Sequence, residues 1–174
     1  MFYAGNIIAG IGINYKIGTC LTSFANWIST IGALFLLGRF GRKSIMWTMC
    51  FAMALTHIAL GIAYYSVDTT LVGGSPAGYA CLVLILLYVV EFEFSLGPVP
   101  WVYMSEIMQN KAMTIALLIN WIFTLFFAVT TQKWVDEWLK GAFFIVLGVI
   151  CGLGGLFVLI LLKETKGLSE AQVQ

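Results

Sequence analysis

Two prolines, Pro98 and Pro100, interrupt an apolar stretch that runs from Tyr79 to Met108. Each removes a backbone donor and breaks the helical hydrogen-bond ladder. A stretch of this length reads as a membrane span, because a bilayer core takes roughly 20 apolar residues as helix. Lipid cannot satisfy the carbonyls that the prolines leave without partners. A broken helix at that depth therefore has to face protein or a water-filled cavity, and transporters place binding sites at such interruptions. The segment Gly97-Pro98-Val99-Pro100-Trp101 thus predicts a polar hollow inside an apolar protein.

The rest of the chain supports the membrane reading. Of its 174 residues 61% are hydrophobic and only 10% are charged, against about a quarter charged in a soluble domain. Apolar runs predict an all-α membrane protein with spans at 17–37, 44–65, 79–108 (broken at 97–100), 112–131 and 142–162. A shorter run at 2–13 predicts a partial span, as if a first helix were truncated, and 163–174 forms a polar tail. No basic leader precedes these runs, so no signal peptide is expected. A net charge of +1 makes no case for a nucleic-acid partner. The four cysteines stand singly in apolar runs without metal-ligand spacing, so neither a metal nor a cofactor is implied and each reads as a small buried hydrophobe.

Charge asymmetry predicts orientation. Arg39, Arg42, Lys43, Lys111, Lys163 and Lys166 fall on one side, six of the nine Lys and Arg. That side is expected to be cytoplasmic by the positive-inside rule, with the C-terminus inside and the 67–78 loop outside.

Ionisable groups within spans are costly and mark cavities or partners. Glu91, Glu93 and Glu106 are such groups. Glu91 and Glu93 are two apart, so they point about 200° away from each other on a helix. Glu93, one turn before the break, is the better candidate for a polar cavity. Glu91 lies either there or, merely solvated, near the outer interface. Trp101 beside the break offers a flat apolar face and one donor, which suits a sugar ring; the alternative is an interfacial anchor. Asn26 and Asn120 carry donors and acceptors within spans, either for ligand hydroxyls or as glue between helices. His57 has no acid one turn away, which favours a hydrogen-bonded packing role over a proton relay. The hairpin Gly38-Arg39-Phe40-Gly41-Arg42-Lys43 is short enough to need its glycines, and Glu106 is the natural partner of its arginines. Gly148 and Gly152 are spaced to let another helix approach closely.

These residues, in this order, resemble the C-terminal half of a sugar porter of the major facilitator superfamily, close to the facilitative glucose transporters. Gly38–Lys43 is similar to the family's E-R-x-G-R-R between the eighth and ninth helices. Gly97–Ile107 matches the tenth-helix G-P-x-P-W followed by an acid. Asn120-Trp121 falls where the eleventh helix carries Asn-Trp. Lys163–Ser169 resembles the P-E-T-K-G-x-S/T tail, and Phe2-Tyr3 the end of the seventh-helix F-Y-Y.

The resemblance implies a six-helix bundle whose first helix, the seventh of a full transporter, is truncated. It implies sugar binding by Trp101, Asn26 and Glu93, with Asn120 and Trp121 bordering the inner part of the same cavity. Gly97, Pro98 and Pro100 would provide the flexible break of one gate, and Tyr3 would belong to the outer gate. Arg39, Gly41, Arg42, Glu106 and Glu164 would form a cytoplasmic ion-pair lock. The substrate expected is a sugar, by default a hexose, carried by alternating access across what is commonly the plasma membrane. The family's Gln-Gln and Asn of the seventh helix, and its whole first half, would precede Met1, so a partner half is expected to be required.

The chain departs from the pattern where Gly38 replaces an acid, Lys163 a proline, Ala4 a tyrosine and Ser95-Leu96 a Gly-Pro. Two other classes compete. A non-transporting membrane protein, such as a sensor or binding partner, fits the missing half. An intramembrane enzyme would need a nucleophile–base pair, paired aspartates or a metal cluster, and no such spacing occurs. No ring-forming filter sequence suggests a channel.

Overall fold

In the computed structural model, residues 4–10, 14–67 and 75–167 are described, and they are helical almost throughout. The helices are α1 (Ala4–Gly10), α2 (Tyr15–Arg39), α3 (Arg42–Tyr65), α4 (Pro76–Phe94), α5 (Val99–Ile107), α6 (Asn110–Lys133) and α7 (Gly141–Leu161), with a π-helical turn at Trp134–Trp138. Among the described residues five stretches, counting Pro76–Ile107 as one, are long and apolar enough to cross a membrane. Tyr3 lies outside the described residues.

Local chemistry sets the helix starts. The Asn14 side chain accepts from the Lys16 amide at 2.9 Å, and Ser75 does the same for Gly78 at 3.0 Å, each satisfying an orphan donor. Pro76 follows Ser75 in the first turn, where a missing N–H costs nothing. Only Phe40 and Gly41 separate α2 from α3, so these two helices are forced antiparallel.

The break falls at 95–98, two residues ahead of the position expected from the prolines. The Ser95 and Gly97 amides converge on one carbonyl, that of Phe92, at 3.1 and 2.8 Å. The regular ladder resumes with Val99 N–H on the Ser95 carbonyl at 2.9 Å. A proline ring clashes with the carbonyl four residues before it, so the distortion appears upstream. Pro100 itself sits harmlessly in the first turn of α5. Ser95, fully buried, donates its hydroxyl to the Glu91 carbonyl at 2.9 Å, and so supports the last turn of α4.

The tightest seam joins α3 to α7. A Cβ on Gly141 would stand 2.6 Å from the Gly61 carbonyl oxygen, one on Gly148 2.9 Å from the Ala54 carbonyl, and one on Gly155 3.1 Å from Cys50 Cβ. The close approach therefore uses glycines seven apart. Gly152, named above with Gly148, makes only an ordinary contact at 3.7 Å, and Gly154 faces open space. Seven residues are close to two turns, so 141, 148 and 155 share a stripe that 152 only borders.

At one end of the bundle Ile8, Leu60, Cys81, Leu82, Ile85, Val135, Phe143 and Phe144 form a core. Towards the other end Ile45, Met46, Val99 and Val158 form a second. Helix α6 is largely exposed: Leu118, Trp121, Ile122, Leu125 and Val129 all point away from the bundle. That pattern suits lipid or another apolar partner rather than water.

Candidate functional site

Glu93 stands on the last turn of α4 and faces α2. Its Oε1 accepts from Asn26 Nδ2 at 2.5 Å, and its Oε2 lies 3.2 Å from the Thr30 hydroxyl. Asn26 and Thr30 are four apart, hence on one face of α2. Two neutral donors thus hold a carboxylate between two membrane-spanning helices. The Phe94 ring fills a notch at Gly32, where a Cβ would come within 2.8 Å of it, and this brings the helices close enough for the contact.

The pair adjoins the break. A Cβ on Gly97 would be 3.3 Å from Glu93 Oε2, and Pro98 and Pro100 follow directly. Trp101 is half-buried on α5, one turn beyond Gly97. A carboxylate acceptor, an amide and a hydroxyl therefore meet beside the interruption of the helix, and an indole follows one turn further along the chain. The first three can accept from and donate to hydroxyl groups, and an indole can cover an apolar ring face.

Glu91 points the other way, as the two-residue spacing requires. It is 8% exposed and accepts from Thr56 on α3 at 2.9 Å. It lies roughly 22 Å from the start of α4 at 1.5 Å per residue, so it is buried at depth rather than solvated near an interface. His57 Nδ1–H donates to the Met53 carbonyl, 2.8 Å away, and the ring meets that of Tyr88 edge-on with centroids 4.6 Å apart. This is a packed imidazole.

Asn120 lines a cavity of about 530 Å³ between α3, α4, α6 and α7, with His57, Tyr88, Phe92 and Phe127 among its walls; Asn26, Glu93 and Trp101 are not among its lining residues. Trp121 is 62% exposed and does not line that cavity, as successive helical residues diverge by about 100°. Thr30 was missed in the sequence. Its position four residues after Asn26 was the available signal.

At the far end of the bundle a second polar cluster ties α3, α5 and the tail together. Arg42 donates to Glu106 Oε1 from Nε at 3.2 Å and from Nη2 at 2.9 Å. Glu106 Oε2 accepts from the Thr165 hydroxyl at 2.5 Å. Glu164 Oε1 accepts from the Arg42 amide at 2.8 Å, so it caps the positive end of α3. A Cβ on Gly41 would collide with that carboxylate, which explains the glycine. Lys166 Nζ reaches the Gly38 carbonyl at 3.0 Å. Arg39, grouped with this cluster from the sequence, is exposed and makes no ion pair among the described residues. It sits in the last turn of α2, where a cation favours the helix end.

The Arg42 and Glu106 side chains are 20% and 28% exposed. Arg42→Ala should therefore cost about 2 kcal/mol, below the full penalty of a buried broken pair, and should expose the tail to proteolysis. A melt within 1 °C of wild type, with unchanged tail cleavage, would refute this.

The whole chain, residues 1–174, matches the family described as "Sugar (and other) transporter". The chain belongs to this sugar-porter family of the major facilitator superfamily. It is similar to the facilitated trehalose transporter Tret1 of Bombyx mori, 33% identical over 184 residues, covering all of this chain and 35% of the relative. It is also similar to Tret1 of Anopheles gambiae, 32% identical and covering 23% of that protein. Among solved structures it resembles the inward-open xylose transporter XylE from E. coli, with TM-score 0.79, 27% identity, and 99% of this chain but 40% of that one covered. A D-xylose–proton symporter matches with TM-score 0.79 and 29% identity over 96% of this chain and 39% of that one. The chain thus spans about a third or less of the curated relatives it matches. It is a multi-pass integral membrane protein.

Proposed function

We propose that this chain is the carboxy-terminal half of a sugar transporter that works by alternating access. The observation that carries this is the Asn26–Glu93 contact beside the broken α4–α5 helix, within a chain whose relatives are named for trehalose and xylose transport. Glu93 and Asn26 would bond sugar hydroxyls and Trp101 would cover the ring, with Asn120 on a more distant wall and Trp121 outside it. Gly97, Pro98 and Pro100 form a joint about which α5 can move relative to α4, and Tyr3 would close the outer side. No bond is made or broken. The sugar acts by binding the occluded state more tightly than the open ones, which shifts the population. The substrate is a small neutral sugar, a hexose or a disaccharide built from one.

Movement of one half against another needs a second half, which this chain would meet along the exposed faces of α2 and α6. The Arg42–Glu106–Glu164 cluster lies at the positively charged end, which the positive-inside rule makes cytoplasmic, and it would hold the outward-facing state. The plasma membrane is the expected location.

Trp101→Ala should reduce uptake of radiolabelled glucose or trehalose by the transporter containing this chain about tenfold or more, the scale of an aromatic platform plus its donor. Unchanged uptake at equal surface abundance would sink the assignment. The purified chain alone in liposomes should show no sugar flux. Saturable flux would refute the need for a partner half.

A further inference from the structure

The Thr30 hydroxyl has one proton and two acceptors within reach. Its Oγ1 is 2.9 Å from the Asn26 carbonyl oxygen, one turn back on α2, and 3.2 Å from Glu93 Oε2 on α4. A hydroxyl donates once, so one of the two is served at a time. A rotation about the Cβ–Oγ1 bond exchanges them, with no movement of the backbone.

Thr22, Ser29 and Thr124 bond, among the described residues, to carbonyls of their own helices. Thr56 is 5% exposed and is committed to Glu91 across the α3–α4 seam. Thr30 is exposed, and it alone among these shares its proton between its own helix and a carboxylate at the proposed substrate site.

We propose that Thr30 is a removable donor for the substrate carboxylate. In the empty transporter it satisfies Glu93 Oε2. When a sugar hydroxyl arrives at that oxygen, the Thr30 proton turns to the Asn26 carbonyl. Threonine exchanges a bond to a charged oxygen for one to a neutral carbonyl, so the sugar displaces it at the cost of that difference alone. Asn26 keeps its grip on Oε1 throughout and fixes the plane of the carboxylate. Thr30 is thus a positioning residue that sets how strongly the empty site competes with its ligand. This rests on the reading of Asn26 and Glu93 as the sugar site.

The consequence runs opposite to that of a lost binding contact. Without the hydroxyl the empty site loses a bond to a charged oxygen and the occupied site only the weaker bond to the Asn26 carbonyl, so the sugar gains that difference on binding. In the transporter containing this chain, Thr30→Val should lower the half-saturation concentration for radiolabelled trehalose and glucose about threefold, the scale of the difference between a hydrogen bond to a charged group and one to a neutral carbonyl. Thr30→Ala, a second variant without the hydroxyl, should do the same. Thr30→Ser, which keeps the hydroxyl, should restore the wild-type value. In a Glu93→Gln background the Thr30→Val effect should vanish. A rise or no change in half-saturation with Thr30→Val and Thr30→Ala overturns the proposal, even where Glu93→Gln alone impairs uptake. Unimpaired uptake with Glu93→Gln alone overturns the sugar-site reading and the proposal with it.

Discussion

Glu93→Gln is expected to lower the efficiency of sugar uptake between about tenfold and a hundredfold while leaving the protein folded. The substitution keeps the size and shape of the side chain. It removes the charge and turns one acceptor oxygen into a donor. Hydrogen bonds to a charged group contribute about 1.5–3 kcal/mol, and 1.4 kcal/mol is a factor of ten in binding. The Asn26 amide can still donate to the remaining carbonyl oxygen of the new side chain, and the Thr30 oxygen can accept from its amide. The α2–α4 contact therefore survives, and only the acceptor offered to the ligand is lost. Uptake at equal surface abundance measures the first effect, and thermal unfolding in detergent the second. Full uptake would show that this carboxylate does not touch the substrate. A collapse in thermal stability would show that its role is to join the helices.

The largest effect on stability is expected from Gly148→Leu. A Cβ at this position would already sit 2.9 Å from the Ala54 carbonyl oxygen, 2.8 Å from Ile58 Cγ1 and 3.3 Å from His57 Cβ. Backbone cannot yield as a flexible side chain can, so α7 would have to leave α3. Overpacking costs typically 1–3 kcal/mol, and separating helices that touch backbone to backbone costs at least the upper part of that range. A drop in melting temperature of several degrees, with a shift towards aggregated material, is the expected result. Gly154→Leu is the control, because a side chain there meets open space. Equal melting temperatures for the two variants would mean that the seam is not as close as described.

How far the sequence could be read follows from the range of each interaction. Hydrophobic length placed the spans within a few residues of α2, α3, α6 and α7, because a bilayer constrains helix length directly. The prolines announced the break, although the carbonyl four residues before each proline decided where the chain gives way. Arg42 and Glu106 were paired correctly from opposite charges at matching ends. Arg39 was not separable from Arg42 by charge, and only the direction of its side chain on the last turn of α2 set it apart. Gly152 looked as suited to close packing as Gly148 until the axis of α3 chose the 141–148–155 stripe.

At the candidate site the same division holds. Residue type and depth singled out Glu93 and Asn26, since a carboxylate and an amide in an apolar span each need a partner. That they are each other's partners depended on the Phe94–Gly32 contact, which sets the distance between α2 and α4. Thr30 carries no signal beyond its spacing from Asn26, because serines and threonines in helices ordinarily bond back to the preceding turn. Asn120, as polar and as deep by sequence, lines a cavity that Asn26 and Glu93 do not line. What the sequence alone determined was a helical membrane protein with a break and two polar clusters, because solvation by lipid acts on each residue separately. Which side chains share a site was decided by the tertiary structure, because that depends on how far apart and at what rotation the helices pack.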